Sequence, residues 1–199
     1  TPKQAASDAQ LVFVCVGNDD DLRSVVLGEH GALAGMQANA VLVDHTTASA
    51  SVARELEALC AEQQVGFLDA PVSGGQAGAE NGQLTIMVGG KQAAYQKAEP
   101  VMQSYARFCR LLGDCGTGQL AKMMNQICIA GVVQGLAEAM NFGQQAGLDC
   151  EAVVEVISKG AAQSWQMESR HKTMLAGEYE FGFAVDWMRK DLGIALQQG

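Results

Sequence analysis

Up to about residue 112 short apolar runs alternate with helical patterns. LVFVCV (11–16), AVLVD (40–44), VGFLDA (65–70) and LTIMVG (84–89) are continuously apolar, which suits strands covered on both faces. Between them lie DDDLRSVVL (19–27), SASVARELEALCAEQQ (49–64) and KQAAYQKAEPVMQSYA (91–106). In the second, Val52, Leu56 and Leu59 recur at three- and four-residue spacing, with Ser49 or Ser51 as N-cap. Strand and helix in alternation predict an α/β layer with a mainly parallel sheet, and ARFCRLLG (106–113) closes it as a last strand. After Gly113 the alternation stops. Residues 117–147 read as one helix, about 45 Å long at 1.5 Å per residue. It is apolar on nearly all sides, which predicts burial between neighbours. Further helices are predicted over 149–159, 163–176 and 186–197. Two domains follow, 1–114 and 115–199, with the boundary near 113–117.

Composition narrows the partners. The chain has 199 residues, 48% hydrophobic and 18% charged, and carries a net charge of −9. A sizeable core is expected, and such a field repels nucleic acid and anionic membranes. The six cysteines show no CxxC and no histidine at zinc spacing, so no metal site is expected and a reducing, cytoplasmic setting is the simplest reading. TPKQAASDAQ lacks the apolar stretch of a signal peptide. The longest apolar tract, 120–143, contains Lys122, Asn125, Gln126, Gln134 and Glu138 and makes a poor membrane span.

Candidate chemistry lies in three places. LDAPVSGGQAGAENGQLTIMVGG (68–90) puts Ser73-Gly74-Gly75 between two apolar runs, as a plain hairpin would, or as a loop whose bare amides approach a ligand. Gly116-Thr117-Gly118-Gln119-Leu120-Ala121 matches a dinucleotide fingerprint, but no second strand follows about 20 residues later as that motif requires. It reads as a turn that lets the long helix start close to the sheet. Lys122 stands on that otherwise apolar helix, with Asn125 and Gln126 on its own face. A buried lysine can hold and protonate a substrate oxygen; the alternative is a side chain whose head reaches water. Met87, Met123, Met124 and Met140 are expected in the core. His30 and His45 lack evident partners, and Asp69 is expected to brace the turn before Pro71. Trp165 and Trp187 flank the helical part.

DAPVSGG (69–75), the series Gly113-x-x-Gly116-x-Gly118-x-x-x-Lys122-x-x-Asn125 and Lys190-Asp191-Leu192 together resemble the β-hydroxyacid dehydrogenases, in the 3-hydroxyisobutyrate dehydrogenase and tartronate semialdehyde reductase branch. The resemblance implies a partial Rossmann-like, mainly parallel sheet followed by an all-α domain with one long central helix. It implies NAD or NADP as cofactor and a small carboxylate substrate. A homo-oligomer is expected from the residues themselves, to cover the apolar 117–147 helix and the open flank of the first strand. Lys122 would be the catalytic acid–base. Ser73, Gly74 and Gly75 would hold the substrate carboxylate, with Asn125 and Gln126 beside the substrate. Val16, Gly17, Thr47 and Lys190 would line the cofactor. Gln126 departs from the asparagine usual four residues after the lysine. The N-terminal dinucleotide fingerprint and the last helices of the family have no counterpart here, so a fragment is expected.

The leading expectation is an NAD(P)-dependent oxidoreductase of a small 3-hydroxy acid. A 6-phosphogluconate-type decarboxylating enzyme would need a histidine beside the lysine, where Met124-Asn125 stands. An imine-reductase relative would replace the lysine. The alternative from another class is an inactive fragment or a dehydrogenase-like binding module, against which Lys122 and the acidic charge both weigh.

Overall fold

The computed structural model describes residues 1–180 and 182–198. The apolar runs become β1 (Leu11–Val14), β2 (Val41–Asp44), β3 (Gly66–Asp69), β5 (Leu84–Gly90) and β6 (Ala106–Gly113), with a two-residue β4 (Val72–Ser73) that no run announces. The helices are α1 (Pro2–Ala6), α2 (Asp19–Val26), α3 (Ala50–Glu62), α4 (Gly75–Glu80), α5 (Gln92–Met102), α6 (Thr117–Gln145), α7 (Cys150–Ile157), α8 (Trp165–Ala176) and α9 (Val185–Gln198). The chain forms two compact units: Thr1–Met124 with the end of the chain from Gly193, and Asn125–Leu192.

The first unit is built on one sheet in the order β1-β2-β3-β5-β4, with β6 on the other edge of β5. β1, β2 and β3 run parallel, as do β5 and β6. β3 and β4 both run antiparallel to β5 in one unbroken register, Asp69 opposite Gly89 and Val72 opposite Ile86. They are a single strand interrupted at Ala70-Pro71, where proline offers no N–H to the ladder. This arrangement carries the chain straight from the end of β3 to Ser73.

Side chains alternate between two buried faces, which explains the continuous hydrophobicity of the central runs. Leu42 and Phe67 join Leu22, Val26, Val52 and Leu56 on one face; Val43, Leu68, Ile86 and Val88 join Tyr95 and Met102 on the other. Two runs differ from expectation. β1 ends the strand order and is only partly buried, and β6 is mostly exposed, because each lacks a neighbour on one side. Ser49, rather than Ser51, caps α3 by accepting the Val52 N–H at 3.1 Å.

The second unit packs α7 and α8 against α6 through Leu136, Met140, Cys150, Val154 and Met167. Asp149 and Ser164 cap α7 and α8. The long helix is continuous as predicted and runs 29 residues, ending at Gln145 and not at 147, but its covering does not follow from its all-round apolar character. Met124 is 71% exposed, a correction to its expected place in the core, and Ile127, Val132 and Phe142 are also exposed. Met123 and Met140 are buried as expected. An all-round apolar helix does not disclose which side its own chain covers. All six cysteines are free thiols, and no described helix is long and apolar enough to cross a membrane.

α6 starts hard against the sheet. A Cβ on Gly118 would collide with the Asp69 carbonyl and stand 2.6 Å from that of Met87, and one on Gly89 would lie 2.8 Å from the Gly118 nitrogen. Gly118→Ala should therefore destabilise the fold by about 1–3 kcal/mol through overpacking. Gly131→Ala, where an added methyl meets nothing within 4 Å, should stabilise it by roughly 0.5–1 kcal/mol through helix propensity. Urea unfolding of both variants checks the contrast; equal effects would contradict the close approach.

Candidate active site

The carboxyl ends of β1, β2 and β3 lie side by side, the edge at which open α/β sheets take their ligands. Asp69 ends β3 in full burial. Its Oδ1 accepts the Gly116 N–H at 2.8 Å and its Oδ2 the Gln119 N–H at 2.9 Å. These amides belong to the start of α6, where helix N–H groups have no partner inside the helix. Asp69 thus braces a helix and not its own turn, which corrects the sequence expectation in its object. The buried Gln119 side chain ties the same helix to the loop after β2. It donates to the Thr46 carbonyl at 2.8 Å and accepts from the Ala48 N–H at 3.1 Å, on either side of Thr47.

That loop holds its neighbours in turn. Thr46 Oγ1 accepts the Val16 N–H at 3.0 Å, fixing the turn after β1 that contains Val16 and Gly17. Asp19, at the start of α2, accepts from the Ser49 N–H at 2.9 Å and its hydroxyl at 2.6 Å. Asp44, at the end of β2, accepts the Thr46 N–H at 2.8 Å through Oδ1, while its buried Oδ2 has no hydrogen-bond partner. Burial raises the pKa of both Asp44 and Asp69. For Asp69 the bonds from Gly116 and Gln119 oppose the rise without cancelling it. For Asp44 the value reaches about 7, with the nearby Asp69 adding to the effect.

His45 has partners after all, which corrects the reading that it lacks them. Nδ1 lies 2.6 Å from the Ala70 carbonyl and Nε2 2.8 Å from the Tyr105 hydroxyl, with the ring stacked on Phe13. The Ala70 contact makes Nδ1 the protonated nitrogen, leaving Nε2 to accept from tyrosine. Burial lowers the histidine pKa. Its role is structural.

The predicted site residues divide between the two units. Val16, Gly17, Thr47, Ser73, Gly74, Gly75 and Lys122 fall in the first; Asn125, Gln126 and Lys190 fall in the second. Val16, Gly17 and Thr47 are partly exposed at the carboxyl edge of the sheet. Ser73 ends β4, and Gly74 and Gly75 follow with φ of +136° and +63°, conformations that favour glycine and leave the turn without side chains. Lys122 is 6% exposed, one helical turn beyond Gln119. In the second unit Asn125 donates to Gln126 at 2.8 Å and Gln126 to Asp191 at 2.6 Å. Asp191 ion-pairs with Lys190 at 3.2 Å, and the Lys190 ammonium stands 5.6 Å from the Trp187 ring centre. Among the described residues no group of histidines, cysteines and carboxylates could hold a metal ion.

Sequence reading missed Asp44, Thr46, Gln119 and Asp191. Gln119 carried a usable signal, a polar residue one turn before Lys122 on an apolar helix. Asp191 stood in the Lys190-Asp191-Leu192 motif, but its partner 65 positions away gave no sign of its own role.

Two family models cover the chain end to end. The NAD-binding domain of 6-phosphogluconate dehydrogenase matches residues 1–116, and the NAD-binding region of NADP-dependent 3-hydroxyisobutyrate dehydrogenase matches residues 116–199. The chain belongs to the β-hydroxyacid dehydrogenase family. An oxidoreductase of Shewanella frigidimarina (strain NCIMB 400) is 67% identical over all of this chain and 68% of its own length. The 2-(hydroxymethyl)glutarate dehydrogenase of Eubacterium barkeri is 35% identical over 99% of the chain and 66% of its own length. The crystal structure of 3-hydroxyisobutyrate dehydrogenase from Salmonella typhimurium superposes with a TM-score of 0.87 at 30% identity, over 100% of this chain and 69% of that one.

A β-hydroxyacid dehydrogenase binds NAD or NADP, and the carboxyl edge of the sheet is where open α/β folds hold a dinucleotide. The turns after β1 and β2 are fixed there by the Thr46 and Gln119 bonds, and Gly17 and Thr47 are partly exposed.

Because burial favours the neutral form of Asp44, its contribution to stability is fully present below the ordinary carboxylate pKa and is lost as pH rises through about 7. Asp44→Asn stays neutral throughout. Relative to the parent, it should gain on the order of 3 kcal/mol between pH 4 and pH 8. Denaturant unfolding across that range measures the gain, and a pH-independent difference would remove the buried acid from the account.

Proposed function

We propose that this dehydrogenase interconverts a small 3-hydroxy acid and its semialdehyde or ketone, with Lys122 as the general acid–base. The observation that carries this reading is the burial of Lys122 on a helix whose start is bonded to the carboxyl edge of the sheet through Asp69 and Gln119. A rigid helix holds the buried Lys122 to a fixed place, as a group that hands over a proton at a set position requires. The names of two relatives support the substrate class. 3-Hydroxyisobutyrate and 2-(hydroxymethyl)glutarate both carry a hydroxymethyl group on the carbon next to a carboxylate.

In this reading Ser73, Gly74 and Gly75 hold the substrate carboxylate, since amides in a turn without side chains approach an anion closely. Asn125 and Gln126 lie on the substrate side. Val16, Gly17, Thr47 and Lys190 line the cofactor. A nicotinamide cofactor held there would supply the hydride exchange with the hydroxyl-bearing carbon. Lys122 takes the hydroxyl proton in the oxidative direction and returns it to the carbonyl oxygen in the reductive one. Holding the carboxylate at one end fixes the hydroxyl against the amine, which turns proton transfer into a local event.

Lys122→Ala in the full-length enzyme should cut kcat by about 10²- to 10⁴-fold, the usual worth of general acid–base catalysis. Cofactor affinity should be unchanged, and Lys122→Arg should not restore turnover, because guanidinium does not release its proton near neutral pH. Steady-state kinetics with 3-hydroxyisobutyrate and 2-(hydroxymethyl)glutarate make the test. Near-normal turnover in Lys122→Ala would make the lysine structural.

A further inference from the structure

The helical unit contains a buried carboxylate that the chemistry above does not use. Asp191 is 1% exposed. Its Oδ2 accepts a hydrogen bond from Gln126 Nε2 at 2.6 Å. Its Oδ1 makes no hydrogen bond of good geometry and instead faces Lys190 Nζ as an ion pair at 3.2 Å. Removing a carboxylate from water costs several kcal/mol, so its partners must compensate. The two contacts divide the work: a neutral amide anchors one oxygen, and the other is left to a cation.

The orientation of Gln126 follows from the same contact. A carboxylate oxygen only accepts, so the amide atom facing it is the nitrogen. The Gln126 oxygen is then turned to Asn125 Nδ2 at 2.8 Å. Both ends of the buried Gln126 amide are thereby engaged within the protein, and Asn125 is the more exposed amide of the two. Lys190 is held from two directions, by the Asp191 carboxylate and by the Trp187 ring face 5.6 Å from Nζ. A lysine has a long flexible stem, and pinning its head beforehand removes an ordering cost from ligand binding.

We infer that Asp191 is a positioning residue, anchored by Gln126, which sets the place of the Lys190 ammonium and so the strength of its contact with the cofactor. The inference rests on the proposed role of Lys190 at the cofactor. It also assigns Gln126 to anchoring Asp191, leaving the substrate contact to Asn125.

The experiment is a double-mutant cycle between Asp191→Asn and Lys190→Met in the full-length enzyme, read as the dissociation constants of NADH and NADPH. Alongside it, the rate of reductive methylation of the Lys190 amine is measured by mass spectrometry in the parent, Asp191→Asn and Gln126→Leu. Asp191→Asn should weaken binding of the preferred cofactor about ten- to hundredfold, the worth of a hydrogen bond or ion pair to a charged group. In the Lys190→Met background the same change should cost no more than about twofold. Methylation of Lys190 should accelerate in both Asp191→Asn and Gln126→Leu. Equal losses in the two backgrounds, or a methylation rate unchanged in folded Asp191→Asn, would overturn the positioning role. If Asp191→Asn does not fold, the methylation rate in Gln126→Leu decides in its place. If Lys190→Met leaves both cofactor affinities intact while methylation still accelerates, the cofactor role of Lys190 fails and the Asp191 anchor stands.

Discussion

The carboxylate of Asp69 is the contact on which the arrangement of the sheet unit depends. It ends β3, is fully buried, and spends both oxygens on the amides of Gly116 and Gln119 at the head of α6. Those amides would otherwise be orphaned, and the positive end of the helix dipole favours a carboxylate there. Burial still raises the Asp69 pKa, so the bonds do not fully offset the loss of water. The contact also requires room. Gly89 and Gly118 supply it, because a methyl group on either would overlap the backbone or the carboxylate itself. One strand end and two bare glycines thus decide where a 29-residue helix begins, and with it where Lys122 stands.

The same economy of means governs the turn that follows β4. β3 and β4 share one register along β5, so the loop at Ser73 is positioned by the ladder and not by its own contacts. The break at Ala70-Pro71 frees the Ala70 carbonyl for His45, whose other nitrogen takes Tyr105. The loops after β1 and β2 are bound to each other through Thr46 and to α6 through Gln119. What the sheet unit offers is an edge whose turns are fixed by buried polar bonds while Gly17 and Thr47 keep some exposure. The helical unit offers a separate device, a carboxylate shared between an amide and a lysine.

The five longer strands of the first half, with α2, α3 and α5, were legible because covering a sheet on both faces demands continuous apolar runs, whereas α4 lies in a stretch expected as a hairpin or loop. β4 was not, since two residues carry no period. The length of α6 was legible, but the exposure of Met124 and Phe142 was not, because a helix apolar all round gives no sign of the side its own chain covers. At the site, DAPVSGG and the Gly113–Lys122 series led to the family that the comparisons then established. The bonds behind those motifs were hidden. Asp69 finds its partners 47 and 50 positions downstream, and His45 finds Tyr105 60 positions away. Local spacing could suggest that Asp69 braces something; only the fold reveals that it braces α6.

If Lys122 is the general acid–base, as proposed, Asp69 acts on the chemistry by placing it. The most direct test is a double-mutant cycle in kcat between Asp69→Asn, which replaces one acceptor oxygen with a donor facing the helix amides, and Lys122→Met. Asp69→Asn should lower kcat by about 10- to 100-fold in the parent, the scale of a small misplacement of a reacting group. In Lys122→Met, where no amine is left to misplace, it should cost nothing further. The same fractional loss in both backgrounds would contradict the account and leave Asp69 as a brace of the fold alone.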